Sequence, residues 1–146
     1  MSAEPGAVGR WAPVCAWAVV IFVASTSWFA GSRTEPALLP FLAWLLPGAG
    51  RHTLEVVHAA LRKLGHFTEY MVLGLLIARA LRDARGWQLR HAVLAVVLAT
   101  TYAVTDELHQ HFVPGRTAAA GDVAIDALGA LTGQIGLAVG AMRRPR

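Results

Sequence analysis

Charge is what this chain has least of. Lysine, arginine, aspartate and glutamate make up 15% of its 146 residues, where a soluble domain carries about 25%. So few charges cannot cover the surface of a water-soluble fold of this size. The basic residues stand in short groups rather than in a stripe with interleaved aromatics, which excludes a nucleic-acid-binding face and leaves no nucleic-acid partner expected. One cysteine, Cys15, allows no internal disulfide. No P-loop, G-x-S-x-G elbow or dinucleotide fingerprint occurs, so the common phosphate-cradling and acyl-transfer chemistries have no motif here, and no cofactor is expected. Long linkers, low-complexity segments and internal repeats are missing too.

What is there is apolar. Hydrophobic residues are 55% of the chain and the mean hydropathy is +0.49, values of a membrane protein. Apolar runs predict spans at about residues 11–31, 64–81, 89–112 and 118–142, each near the roughly 20 residues that a spanning helix needs. The first is too long for the core of a signal peptide, and Trp28 is too bulky for the −3 position of a cleavage site before Gly31, so it reads as an uncleaved span. Residues 32–52 carry Pro36, Pro40, Pro47, Gly48 and Gly50. They predict an irregular segment with Trp44 at the interface, followed by an amphipathic helix capped by Thr53. Val113-Pro114-Gly115-Arg116 fits a type II turn between the last two spans. The fold expected is an all-α bundle of four transmembrane helices forming one membrane domain over residues 1–146, with an irregular, interfacial piece between the first and second spans.

Orientation follows from the basic residues. With the N-terminus inside, Arg10, Arg79, Arg82, Arg85, Arg90, Arg143, Arg144 and Arg146 lie on the cytoplasmic side. Arg33, Arg51, Arg62, Lys63 and Arg116 lie outside. Eight against five predicts four spans with both termini on the cytoplasmic side of the membrane.

The scarce charges concentrate where two predicted spans meet. Residues 106–126 hold Asp106, Glu107, His109, Gln110, His111, Arg116, Asp122 and Asp126 between two apolar runs. Ionisable groups in such a place are expensive in hydrocarbon and by default functional. Lys63, His66 and Tyr70 reach the same outer face from the second span. Helical spacing puts them on one face, and groups Asp106 with His109 and Gln110 while turning Glu107 and His111 elsewhere. Lys63, His66 and Arg116 are the partners open to Asp106. The candidate ligand-binding residues are therefore Lys63, His66, Tyr70, Asp106, Glu107, Gln110, Arg116, Asp122 and Asp126. For metal, His66, His109, His111, Asp106 and Glu107 offer donors but no H-E-x-x-H or Cys/His spacing, and no metal is expected. Gly129, Gly133, Gly136 and Gly140 form a narrow strip below the acids. It suits close packing within the chain or against a second copy in a homo-oligomer.

The combination K-x-x-H-F-x-x-Y (Lys63, His66, Phe67, Tyr70), D-E-x-x-Q-x-F-x-P-G-R (Asp106, Glu107, Gln110, Phe112, Pro114, Gly115, Arg116) and D-x-x-x-D-x-x-G (Asp122, Asp126, Gly129) resembles the VanZ-like family. Residues 25–27, at the end of the first span, fit as well. Asp126 departs from the pattern, where asparagine is expected, and adds an acid. The resemblance implies a small bacterial membrane protein of the cell envelope whose namesake is associated with low-level teicoplanin resistance. Two functions are expected of the polar cluster. One is binding of an anionic membrane lipid or lipid-linked envelope precursor, with Lys63 and Arg116 on its phosphate and glycopeptide susceptibility altered as a result. The other is a membrane-embedded hydrolase or transferase on such a substrate, with Asp106 or His66 as general base and Arg116 as oxyanion stabiliser.

Overall fold

A computed structural model describes residues 6–82, 86–116 and 119–143. The predicted start of the fourth span at residue 118, and Arg85, Arg144 and Arg146 of the orientation argument, lie outside the described residues. The described residues form helices α1 (Ala7–Ala24), α2 (Gly31–Leu45), α3 (Arg51–Leu81), α4 (Leu89–His111) and α5 (Ala120–Met142), with a 3-10 turn at Ser27–Phe29. All but α2 are long and apolar enough to cross a membrane. Large apolar side chains stay exposed on every one of these four, among them Val19 and Phe22 on α1, Leu64 on α3, Val93 and Val97 on α4 and Leu128 and Ile135 on α5. Lipid is the solvent that such surfaces fit.

Three details differ from the sequence reading. Residues 31–45 are helical despite Pro36 and Pro40. Both prolines lie on the exposed side of α2, four residues apart, while Gly31 and Leu42 are buried. The carbonyls that they leave without a donor therefore sit on the side away from α3. At about 1.5 Å per residue, α2 is still too short for a bilayer core of roughly 30 Å. Secondly, α3 starts at Arg51 after Gly50, not at Thr53, and the expected amphipathic piece and second span are one continuous helix of 31 residues. Nothing in residues 62–65 breaks it. Thirdly, α1 begins at Ala7, which makes Pro13 an interior residue, and it ends at Ala24. Ser25 and Thr26 follow, with Thr26 Oγ1 taking the Val23 carbonyl at 2.7 Å.

The bundle closes through small residues. α4 buries Ala92, Ala95, Ala99 and Ala103 along one stripe, and that stripe continues into Asp106 and Gln110. α3 and α5 touch backbone to backbone. A Cβ on Gly129 would overlap the Phe67 carbonyl oxygen, and one on Gly133 would lie 3.2 Å from the Met71 carbonyl oxygen. From α3's side, a Cβ on Gly74 would lie 3.2 Å from Ala130 Cα. Gly136 and Gly140 have nothing within 4 Å of such a position. The strip is thus divided. Gly129 and Gly133 serve contact inside the chain, while Gly136 and Gly140 remain open. Tyr70, Leu73 and Ile77 of α3 fill the space around the alanine stripe.

Candidate functional site

The end of α1, the first half of α3, the end of α4 and the start of α5 meet at one end of the bundle. Asp106, Glu107, Gln110 and Asp126 are each at most 6% exposed there. Ser25 Oγ donates to Asp106 Oδ2 at 2.8 Å and Gln110 Nε2 to the same oxygen at 2.9 Å. Asp106 is thus held by neutral donors from α1 and α4, and not by the lysine, histidine or arginine that the sequence offered. Ser25, itself 2% exposed, was read only as part of the motif.

Glu107 is buried like Asp106, but it turns toward α5 where Asp106 turns toward Ser25. His111 is exposed, and His109 packs its ring on Phe22 with centroids 4.8 Å apart. Helical spacing sets Glu107 about 100° from Asp106, and the α4 end has α1 on the one side and α5 on the other. Glu107 Oε2 accepts from the Ala119 backbone N at 2.9 Å, and so caps α5, whose own Ala119 has no side chain to do so. Lys63 Nζ bridges to Asp122 Oδ1 at 2.8 Å at the more exposed edge. One turn further along α5, His66 Nδ1 lies 3.5 Å from Asp126 Oδ1. Tyr70 is buried against Tyr102 with ring centroids 6.3 Å apart and serves the core.

Arg116 follows Gly115, whose φ of +80° and approach to Ser32 require glycine at the turn. The Arg116 N–H bonds the Val113 carbonyl at 3.1 Å and closes the expected type II turn. Its guanidinium reaches back to the carbonyls of Ala24 and Thr26. The Ala24 carbonyl is one that α1 cannot satisfy at its own C-terminus, while the Thr26 carbonyl also accepts from the Phe29 N–H at 3.3 Å. Burial, and then the charge of Arg62, pull the Arg116 pKa below its ordinary value, against the raising effect of Asp106, Glu69 and Glu107.

Beside this arginine opens a cavity of about 270 Å³, lined by Ala24 and Ser25 of the first span, Phe29, Thr34 and Leu38 around α2, and His58, Leu61, Arg62, Gly65, His66 and Glu69 of α3. Of the nine residues expected at the site, His66 and Arg116 line it. Asp106 and Gln110 stand behind Ser25, and Lys63, Glu107, Asp122 and Asp126 lie toward α5. Arg62 and Glu69 were missed. Residues 58, 62, 66 and 69 share one helical face, so the signal is present in the spacing of α3.

Residues 11–140 match the family model described as VanZ/LLP1. No curated protein and no solved structure matches.

Proposed function

The chain belongs to the VanZ/LLP1 family, and on that premise we propose that its cavity binds the head group of an anionic lipid or lipid-linked envelope precursor. The observation that carries this reading is the lining. Two guanidinium groups, Arg62 and Arg116, and two imidazoles, His58 and His66, face one carboxylate, Glu69, beside apolar Phe29, Leu38 and Leu61. Arginine suits phosphate, and the apolar wall suits the start of an acyl or isoprenoid chain. Arg62, not Lys63, takes the anion-binding part, because Lys63 is spoken for by Asp122. The chain sits in the bacterial inner membrane with both termini cytoplasmic and the cavity outward. With α2 not crossing, four spans return the chain to its starting side, and the basic residues favour that side as the inner one. Teicoplanin susceptibility would change as a consequence of holding envelope lipid.

Native mass spectrometry of the protein in mild detergent tests this. About one anionic phospholipid or lipid-linked phosphate per chain is expected. Retention of zwitterionic lipid alone, or of none, would defeat the reading.

A second reading, a hydrolase or transferase on a lipid-linked substrate, draws on His66, which lines the cavity while its Nδ1 faces Asp126. That arrangement could orient a base. Turnover of bound lipid that disappears in His66→Gln would favour catalysis over binding.

A further inference from the structure

Three side chains from three helices converge behind the cavity. His66 of α3, Glu107 of α4 and Asp126 of α5 each place a donor atom within 4.8 Å of the others. Their electrostatic position is unbalanced. Asp126 is wholly buried, and among the described residues neither of its oxygens accepts a hydrogen bond. Glu107 Oε1 and His66 Nδ1 are likewise buried without one. Among the described residues, neither acid forms an ion pair with a lysine or arginine. Lys63 bridges to Asp122, and the Arg116 terminal nitrogen is engaged by the Ala24 and Thr26 carbonyls. With both acids ionised and the imidazole neutral, the group lacks two positive charges, and carboxylates left so inside a bundle are strongly disfavoured.

We propose that His66, Glu107 and Asp126 bind a divalent transition-metal cation. One imidazole and two carboxylates suit Zn²⁺ or Mn²⁺ better than Ca²⁺ or Mg²⁺, which favour oxygen-only shells. Two charges neutralise both acids while the imidazole stays neutral. Donors around a tetrahedral cation sit about 3.4 Å apart, so a modest closing of the three side chains completes the shell. The scaffold supports that closing. Glu107 is fixed through its other oxygen by the Ala119 N–H at 2.9 Å, the kind of outer bond that aims a metal ligand. His66 and Asp126 are fixed by the backbone contact of Phe67 with Gly129, next to one and a turn from the other. Three protein ligands leave a position open for water or another ligand. The proposal is independent of whether the cavity takes lipid.

Equilibrium dialysis of the chelator-stripped, detergent-solubilised full chain tests it, against Zn²⁺, Mn²⁺ and Mg²⁺ in turn, with metal counted by mass spectrometry. Wild type should hold about one Zn²⁺ or Mn²⁺ per chain and little Mg²⁺. Asp126→Asn and Glu107→Gln should each weaken binding at least tenfold, and Thr132→Ala, on the exposed side of α5, should not. If an acid variant misfolds, Co²⁺ added to wild type replaces the comparison: d–d absorption bands of a nitrogen- and oxygen-ligated ion are expected. A stripped wild type that takes up neither Zn²⁺ nor Mn²⁺ and gives no Co²⁺ bands overturns the proposal, and so does undiminished uptake in both acid variants. Lipid retention is read in a separate experiment, so either idea can fail alone.

Discussion

Replacing Gly129 with alanine should force α3 and α5 apart. The added Cβ would overlap the Phe67 carbonyl oxygen and lie 3.0 Å from its carbonyl carbon and 3.2 Å from its Cα. Carbon atoms rest about 3.5–4.0 Å apart, so the two carbon contacts are short by at least about 0.5 Å and 0.3 Å. All three atoms are backbone of a continuous helix and cannot rotate away. Overpacking of this kind costs about 1–3 kcal/mol, and the unyielding neighbour puts Gly129→Ala at the upper end. Gly136→Ala is the matched control, with nothing within 4 Å of its new Cβ and a helix-propensity gain of about 1 kcal/mol. Gly129→Ala gains the same propensity, so the two variants should differ by the overpacking cost alone, about 2–3 kcal/mol, with Gly136→Ala the more stable. Thermal unfolding in mild detergent, followed by tryptophan fluorescence, reads the difference. Trp17 of α1, whose indole donates to the Glu69 carbonyl of α3 at 2.9 Å, reports the loss of α3 from the bundle on unfolding. Equal stability of the two variants would refute the close approach of α3 and α5, and with it the geometry that aligns His66 with Asp126.

Other perturbations follow from the same contacts. Ser25→Ala removes a donor from the buried Asp106 carboxylate and should lower stability by about 1–3 kcal/mol; an unchanged melting temperature would mean that Asp106 is satisfied otherwise. Lys63→Gln breaks a bridge whose lysine is 55% exposed, so a loss below about 1 kcal/mol is expected in the same melt. A reporter active only in the periplasm, fused after Arg146, should be silent while a cytoplasm-active one works, and the reverse pattern would place the cavity on the inner side.

The spans were legible because apolar length is a direct signal: the second and third were predicted within a residue of the helix ends at Leu81 and His111. Helix α2 was not, because prolines argue against helix wherever their exposure is unknown, and Pro36 and Pro40 turn out to share its outer side. That polar residues of α3, α4 and α5 gather at one end was legible from the parity of the spans. Their pairings were not. Which donor meets Asp106 depends on how α1 lies against α4, and sequence spacing says nothing about contacts between helices. The grouping of His66, Glu107 and Asp126 escaped a motif search for the same reason, since each comes from a different helix. Arg62 was hidden by its neighbour Lys63, one residue and about 100° away on α3.

Arg62 offers the most direct test of the binding account: it lines the cavity and, unlike Arg116, makes no hydrogen bond to a backbone carbonyl among the described residues. Retention of a defined anionic phospholipid should be measured for wild type and Arg62→Gln in detergent, alongside their melting temperatures without lipid. A lost hydrogen bond to a charged group is worth about 1.5–3 kcal/mol, so the account predicts roughly 10- to 100-fold weaker retention at an unchanged melting temperature. Retention equal to wild type in a folded Arg62→Gln protein would contradict it.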